Sequence, residues 1–191
     1  MANENHDQKH LYSVWGVPPD PVSERLKKLM AGLRSEFGGP QFDPHVTLVG
    51  AISLTQDEAL EKFTKACADV KTLPVSVDRV AVGTFFYQCV FLLLDPTHEV
   101  METSSKCCDH FGYETNSPYM PHLSLMYGDI TIDEKKEAQE AANTLDEGIN
   151  SLSFEINCLQ LWKTDTEDSS LRSWEKVAEF YVRQGADPSA S

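Results

Sequence analysis

The sequence predicts an α+β fold. It should be bilobal, with internally duplicated β-α-β-α-β halves, antiparallel sheets facing a central cleft, and helices outside. Three observations predict it. Two segments read almost alike, Pro44-His45-Val46-Thr47-Leu48-Val49 and Pro121-His122-Leu123-Ser124-Leu125-Met126. Helix-start signals recur near the offset that separates the two histidines, 122 − 45 = 77 residues. Strand-like and helix-like runs follow one another in the same order in both halves. A duplication with an insertion or two accounts for all three, rather than an array of small repeats. The order also allows a parallel doubly wound sheet, but the short connections favour two antiparallel lobes.

Taken in order, Leu11 to Val17 reads as the first strand and Val22 to Phe37 as the first helix, with Asp20 as N-cap and Pro21 at the first helical position. Gly38-Gly39-Pro40 stops that helix. The strand carrying His45 follows. Thr55-Gln56-Asp57-Glu58 fits a capping box, in which Thr and Glu satisfy each other's orphan amides, and a helix runs through Ala59 to Val70. Pro74 to Val82 closes the first half. Gln88 to Leu94 opens the second and is nearly all apolar, as a central strand buried on both faces would be. Asp95-Pro96 repeats the helix-start signal before Thr97 to Phe111, and Gly112 stops that helix. The strand carrying His122 comes next. Thr131-Ile132-Asp133-Glu134 repeats the capping box before the helix through Lys135 to Leu145. Leu152 to Trp162 closes the second half, and Trp174 to Val182 forms a last strand. The helical segments show apolar positions at helical spacing with charges between them. Residues 10–184 read as one two-lobed domain, with flexible termini over 1–9 and 185–191.

The chemistry lies in the repeated segments. In a strand, residues i and i+2 point to one face. His45 and Thr47 therefore share a face, as do His122 and Ser124, while Val46, Leu48, Leu123 and Leu125 turn to the buried side. Two imidazoles and two hydroxyls can move protons and hydrogen-bond an anion without a metal. A single strand histidine with a hydroxyl at i+2 is usually a satisfied half-buried side chain; the matched pair is what singles these out. A metal site would need a third ligand, and none stands out. His6, His10, His98 and His110 read as surface or helix residues without a role. The cluster Asp165 to Ser170 reads as a solvated loop, with gating of the cleft as its functional alternative.

Composition excludes several classes. The chain has 191 residues, with 16 basic and 30 acidic side chains and a formal net charge of −14. A bulk nucleic-acid binder needs a basic surface to capture phosphates, so that partner is not expected, nor is an anionic membrane. A small anionic ligand remains compatible if the cleft itself is neutral or locally positive. No apolar run is long enough to span a membrane. Met1 to His10 is polar, without a signal-peptide core. Five cysteines without a regular framework suggest a reducing compartment, and a cytoplasmic location is expected. Cys107 and Cys108 are adjacent and lack metal-ligand spacing.

The paired His-x-Thr and His-x-Ser motifs resemble the two-histidine phosphoesterases, which carry two His-x-hydroxyl-hydrophobic signatures at about this separation. The likeness is closer to the plant cyclic phosphodiesterases within that superfamily. It extends over about residues 10–182 through Tyr12-Ser13-Val14-Trp15, Gly83-Thr84-Phe85-Phe86, Gln88 to Leu94, Pro118-Tyr119-Met120-Pro121 and Lys163 to Asp168. One such motif occurs by chance in many proteins; two at duplicated positions with these flanks are specific. The resemblance implies hydrolysis of ADP-ribose 1″,2″-cyclic phosphate to ADP-ribose 1″-phosphate, downstream of tRNA splicing, and of nucleoside 2′,3′-cyclic phosphates to 2′-phosphates. It implies His45 and His122 as catalytic groups, Thr47 and Ser124 on the phosphate, and Tyr127, Trp15 and Tyr87 against the substrate. Tyr127 needs a strand end or bulge to reach the cleft, because strict alternation from Ser124 turns it away. Tyr87 stands where the family often has Phe. Trp15, Phe85, Phe86 and Tyr87 also read as partly core. No cofactor and no metal are expected, the substrate is a small cyclic nucleotide, and the chain is expected to be a monomer. Two alternatives stay open: processing of RNA 2′,3′-cyclic ends or 2′–5′ ligation, and a non-catalytic nucleotide-binding module.

Overall fold

A computed structural model describes residues 8–182. In chain order it contains β1 (Lys9–Val17), α1 (Val22–Phe37), β2 (Val46–Thr55), α2 (Gln56–Ala68), β3 (Leu73–Phe85), β4 (Gln88–Leu94) and α3 (His98–Phe111). Then come β5 (His122–Met126), α4 (Ile132–Leu145), a 3₁₀ turn (Ile149–Ser151), β6 (Ser153–Ile156), β7 (Cys158–Lys163) and β8 (Glu175–Tyr181). The flexible termini expected over 1–9 and 185–191 lie outside the described residues, apart from Gln8 and Lys9; Lys9 already opens β1.

The α+β reading holds, with helices packed against antiparallel strands. The strands of both lobes form one continuous sheet in the order β6-β3-β4-β5-β2-β1-β7-β8. Every pairing is antiparallel. The two lobes, β6-β3-β4-β5 and β2-β1-β7-β8, meet in register at one pair, Val46 and Leu123. These are the middle residues of the two His-x-hydroxyl motifs.

Lobes and sequence halves do not coincide. β3, the last strand of the first half, pairs with β4 of the second. β7, from the end of the second half, pairs with β1 of the first. The cause at β3 is local: only Phe86 and Tyr87 separate it from β4, so the two close as a hairpin. The run expected as one strand over Leu152 to Trp162 is broken at Asn157. Its first part pairs with β3 and its second with β1, at opposite sides of the seam.

The core forms where alternation turns apolar side chains toward the helices. Tyr12 and Val14 of β1, Val46 and Leu48 of β2, and Leu123 and Leu125 of β5 join Leu26, Met30 and Leu33 of α1. β4 is central, as its composition predicts: Cys89, Val90, Leu92 and Leu94 are all buried, and it pairs on both edges. Both capping boxes form. Thr55 accepts from the Glu58 amide and Thr131 from the Glu134 amide, and both glutamates return to the cap backbone. The other two helix starts differ from expectation. Asp95 does not cap α3; its N–H bonds Ser76 O in the β3–β4 ladder, and Thr97 caps the helix by accepting from Val100 N. Asp20 makes no cap bond at α1; the carbonyls of Pro19 and Pro21 receive the amides of Ser23 and Arg25. Gly112 ends α3 in the left-handed conformation, as a helix-stop glycine should.

Candidate active site

The seam between the halves builds the site. Antiparallel pairing of Val46 with Leu123 sets His45 on the Ser124 side and Thr47 on the His122 side. Because the paired residues point to the core, their four neighbours point the other way. Each histidine thus faces the hydroxyl of the other motif, with the two histidines on one diagonal and the two hydroxyls on the other. All four line one cleft of about 440 Å³.

Both imidazoles are tied down in the same way. His45 Nδ1 lies 2.7 Å from the carbonyl of Asp43, and His122 Nδ1 lies 2.9 Å from that of Met120. A carbonyl only accepts, so each Nδ1 carries the proton and donates it. That leaves each Nε2 as the ring nitrogen available to a ligand. Burial drives the His45 pKa down to about 3; the Asp43 carbonyl opposes this and the nearby His122 adds to it. Burial also lowers His122, against the opposing pull of the Met120 carbonyl. In the empty enzyme at neutral pH both are neutral bases.

Trp15 is placed differently from a free substrate platform. Its ring stacks on His45 with centroids 3.5 Å apart and planes 6° apart, and its other neighbour is Trp162 at 4.3 Å and 20°. It is 2% exposed. Trp15 lines the cleft, but its faces pack against a catalytic candidate and another indole. Tyr127 reaches the cleft because β5 ends at Met126 and its ladder with β4 shifts register between Val90 and Phe91. It stacks on Phe42 at 4.0 Å, and burial raises the pKa of its hydroxyl. Tyr87 sits on the β3–β4 turn, donates to Thr166 O at 2.8 Å and stacks with Trp174 at 6.0 Å and 17°. Ser124 Oγ donates over a long 3.4 Å to Tyr87 O and also interacts with the Tyr127 hydroxyl. A ligand oxygen can replace that bond readily.

Three cleft features escaped the sequence. Trp174 bonds Asp165 O through Nε1 and packs near Trp15, Tyr87 and Tyr127. Tyr119 donates to Thr47 O at 2.7 Å and so fixes the backbone of the first motif from beside the second. Ser13 and Thr164 share a buried hydroxyl pair at 2.6 Å. Tyr119 stood within the motif flank, but only the folded register brings it to Thr47. The acidic loop after Thr164 is ordered by Asp168, which accepts from the amides and hydroxyls of Ser170 and Ser173 and is held well below the usual carboxylate pKa. That loop seats Thr166 and Trp174 on the cleft.

The charge pattern is selective. The chain carries a net charge of −14, yet among the described residues no Asp, Glu, Lys or Arg lines the cleft. Among the described residues, no group of three or more His, Cys, Asp or Glu is placed to hold a metal ion. No described helix is long and apolar enough to cross a membrane. The arrangement offers two imidazole nitrogens and two hydroxyls, and its nearest carboxylates, Asp165 and Asp168, act on it from beside Tyr87 rather than from the lining.

Comparison with known proteins agrees with this chemistry. A family model described as cyclic phosphodiesterase-like protein matches residues 11–188. A cyclic phosphodiesterase of Arabidopsis thaliana is 54% identical over 171 residues, covering 90% of this chain and 94% of that one. A 2′,3′-cyclic-nucleotide 3′-phosphodiesterase of Yarrowia lipolytica is 26% identical, covering 62% of this chain and 73% of that one. The crystal structure of Escherichia coli LigT with 3′-AMP superposes with a TM-score of 0.60 at 11% identity, over 93% of this chain and 100% of that one. At that identity the likeness is one of fold. The chain belongs to the cyclic phosphodiesterase-like family and is an enzyme of the cyclic phosphodiesterase class.

Proposed function

We propose that the enzyme opens ADP-ribose 1″,2″-cyclic phosphate to ADP-ribose 1″-phosphate, and nucleoside 2′,3′-cyclic phosphates to 2′-phosphates, by metal-independent acid–base catalysis. The observation that carries this is the diagonal pair of free Nε2 atoms in a cleft without carboxylates. The names of the Arabidopsis and Yarrowia relatives support a small cyclic phosphate as the reacting group.

A five-membered cyclic phosphate is strained and singly charged. One neutral imidazole takes a proton from water as its oxygen attacks phosphorus. The other, protonated, gives its Nε2 proton to the ring oxygen that leaves: O2″ of the ADP-ribose compound, or O3′ of a nucleoside 2′,3′-cyclic phosphate. In-line displacement needs acid and base on opposite sides of phosphorus, and the diagonal placement of His45 and His122 provides it. Thr47 and Ser124, on the other diagonal, donate to the non-bridging oxygens and stabilise the charge that grows there. The bound phosphate anion raises the pKa of both buried imidazoles and so favours loading one of them with a proton. Trp15 acts through His45, holding the ring plane so that Nε2 stays aimed at the reacting group. Tyr127 and Tyr87 shape the wall beside Ser124. The reaction needs neither cofactor nor metal and is carried out by a cytoplasmic monomer.

The test is incubation of purified protein with both substrate types in excess EDTA, with products resolved by phosphorus NMR. The expected result is undiminished turnover, with 2′-phosphates and no 3′-phosphates from the nucleotides. Loss of turnover in EDTA that a divalent ion restores would overturn the metal-free reaction. His45→Ala and His122→Ala should each lose about 10²–10⁴-fold in turnover.

A further inference from the structure

The cleft does not end at the four motif side chains. It continues past them between Gly50 of β2, Cys108 of α3 and the segment from Tyr113 to Met120. The two ends differ in what they leave free. Around Trp15 the aromatic faces are taken up by one another: Trp15 lies between His45 and Trp162, Tyr127 lies on Phe42, and Tyr87 lies on Trp174. The Tyr87 hydroxyl and the Trp174 N–H are bonded to the 165–166 backbone, which leaves Phe85, 51% exposed, as the free ring on that side.

The other end is open. Residues 114–118 are exposed and without regular structure, Tyr113 is half-buried, and Met120 is 38% exposed. The absence of a side chain at Gly50 is what makes room for the Tyr113 hydroxyl on that wall. A Cβ at that position would lie 2.6 Å from the Tyr113 hydroxyl and 3.1 Å from its ring carbon. The tyrosine therefore rests directly on the strand that carries Thr47, three residues along. Among the described residues no charged side chain lines this extension; Tyr113, Thr115, Ser117 and Met120 do, with the Thr115 hydroxyl bonded to the Ser117 backbone.

We propose that this extension is the subsite for the adenosine diphosphate part of ADP-ribose 1″,2″-cyclic phosphate. The inference rests on the substrate assignment above and adds where the long substrate lies. A cyclic mononucleotide fills the motif region and does not need the extension. The ADP-ribose compound carries a pyrophosphate and a second nucleoside, and these must leave the motif region by an open side. Hydroxyls, a tyrosine ring and a thioether suit a ribose and an adenine face. With no cation present, the pyrophosphate stays at the hydrated mouth formed by 114–118.

The experiment measures kcat and KM for ADP-ribose 1″,2″-cyclic phosphate and for 2′,3′-cyclic AMP, in the wild type, Ser117→Trp and Gly50→Ala. Ser117 is exposed, so the tryptophan obstructs the extension without touching the core. Gly50→Ala shifts Tyr113 from the other wall. The expected result is a rise in KM for the ADP-ribose compound of about tenfold or more, with 2′,3′-cyclic AMP held within about twofold. Equal losses on both substrates with Ser117→Trp, or no loss on either, would overturn the subsite. A wild type that opens 2′,3′-cyclic AMP but not the ADP-ribose compound would instead reject the substrate assignment, and the subsite with it. Should Gly50→Ala fold poorly, Ser117→Trp alone decides.

Discussion

His45 shows what a single residue's surroundings impose. Stacked on Trp15 and nearly sealed from solvent, it is held neutral, with its pKa down to about 3 against an ordinary value near 6.5. Between those values the unfolded chain binds a proton that the folded chain does not. Stability from this group is therefore complete above about pH 6.5 and is lost as pH falls toward 3, on the order of a few kcal/mol. His45→Asn keeps a donor for the Asp43 carbonyl and cannot be protonated. It should flatten the fall in Tm between pH 6.5 and 4 while abolishing most turnover. Melting curves with the same acid slope in both proteins would show that another group sets acid stability. His45, Thr47, His122 and Ser124 were legible because the duplicated motif names both the residues and their faces. Trp15 was legible as a cleft residue only. Alternation says which face a strand residue joins, and it says nothing of the ring that will lie against it.

At the scale of elements, the sequence carried most boundaries and both capping boxes, because Thr and Glu at fixed spacing satisfy backbone amides locally. The start of α3 departs from the sequence expectation for a reason that is not local. At Asp95 the backbone stays in the β3–β4 ladder, so the cap passes two residues on to Thr97. The β3–β4 hairpin is the element on which the aromatic wall depends. It carries Tyr87, and α4 anchors it through Lys135 Nζ, which donates to Gly83 O at 3.0 Å. Gly83 is needed for close approach: a Cβ there would overlap the carbonyl oxygen of Gln88 on the facing strand. Gly83→Ala should open the hairpin, cost about 1–3 kcal/mol and lower kcat/KM through displacement of Tyr87. Thermal melts and kinetics check this together. Wild-type Tm and activity in the variant would show that the strands yield without moving the site.

For the whole molecule, duplication was legible but its consequence was not. The order of elements predicts two halves; it does not predict that each gives a strand to the other's lobe. That exchange follows from the short Phe86-Tyr87 turn, whose hairpin pairing competes with closure of the first half on itself. The exchange ties the lobes together and holds the seam at Val46 and Leu123, the pair that sets both histidines on one cleft. The proposed catalysis by two histidines is thus a property of the assembled lobes, and the pH dependence of kcat/KM tests it most directly. That ratio reports the free enzyme, in which burial lowers both imidazoles below 6.5 and His45 to about 3. The two titrate as a coupled pair, so the limbs belong to both. The account predicts a bell for kcat/KM with its alkaline limb below about pH 6.5, a kcat profile displaced upward by the bound phosphate, and loss of one limb in the residual activity of either His→Ala variant. A kcat/KM flat from about pH 4 to 9, with the chemical step rate-limiting, would contradict it.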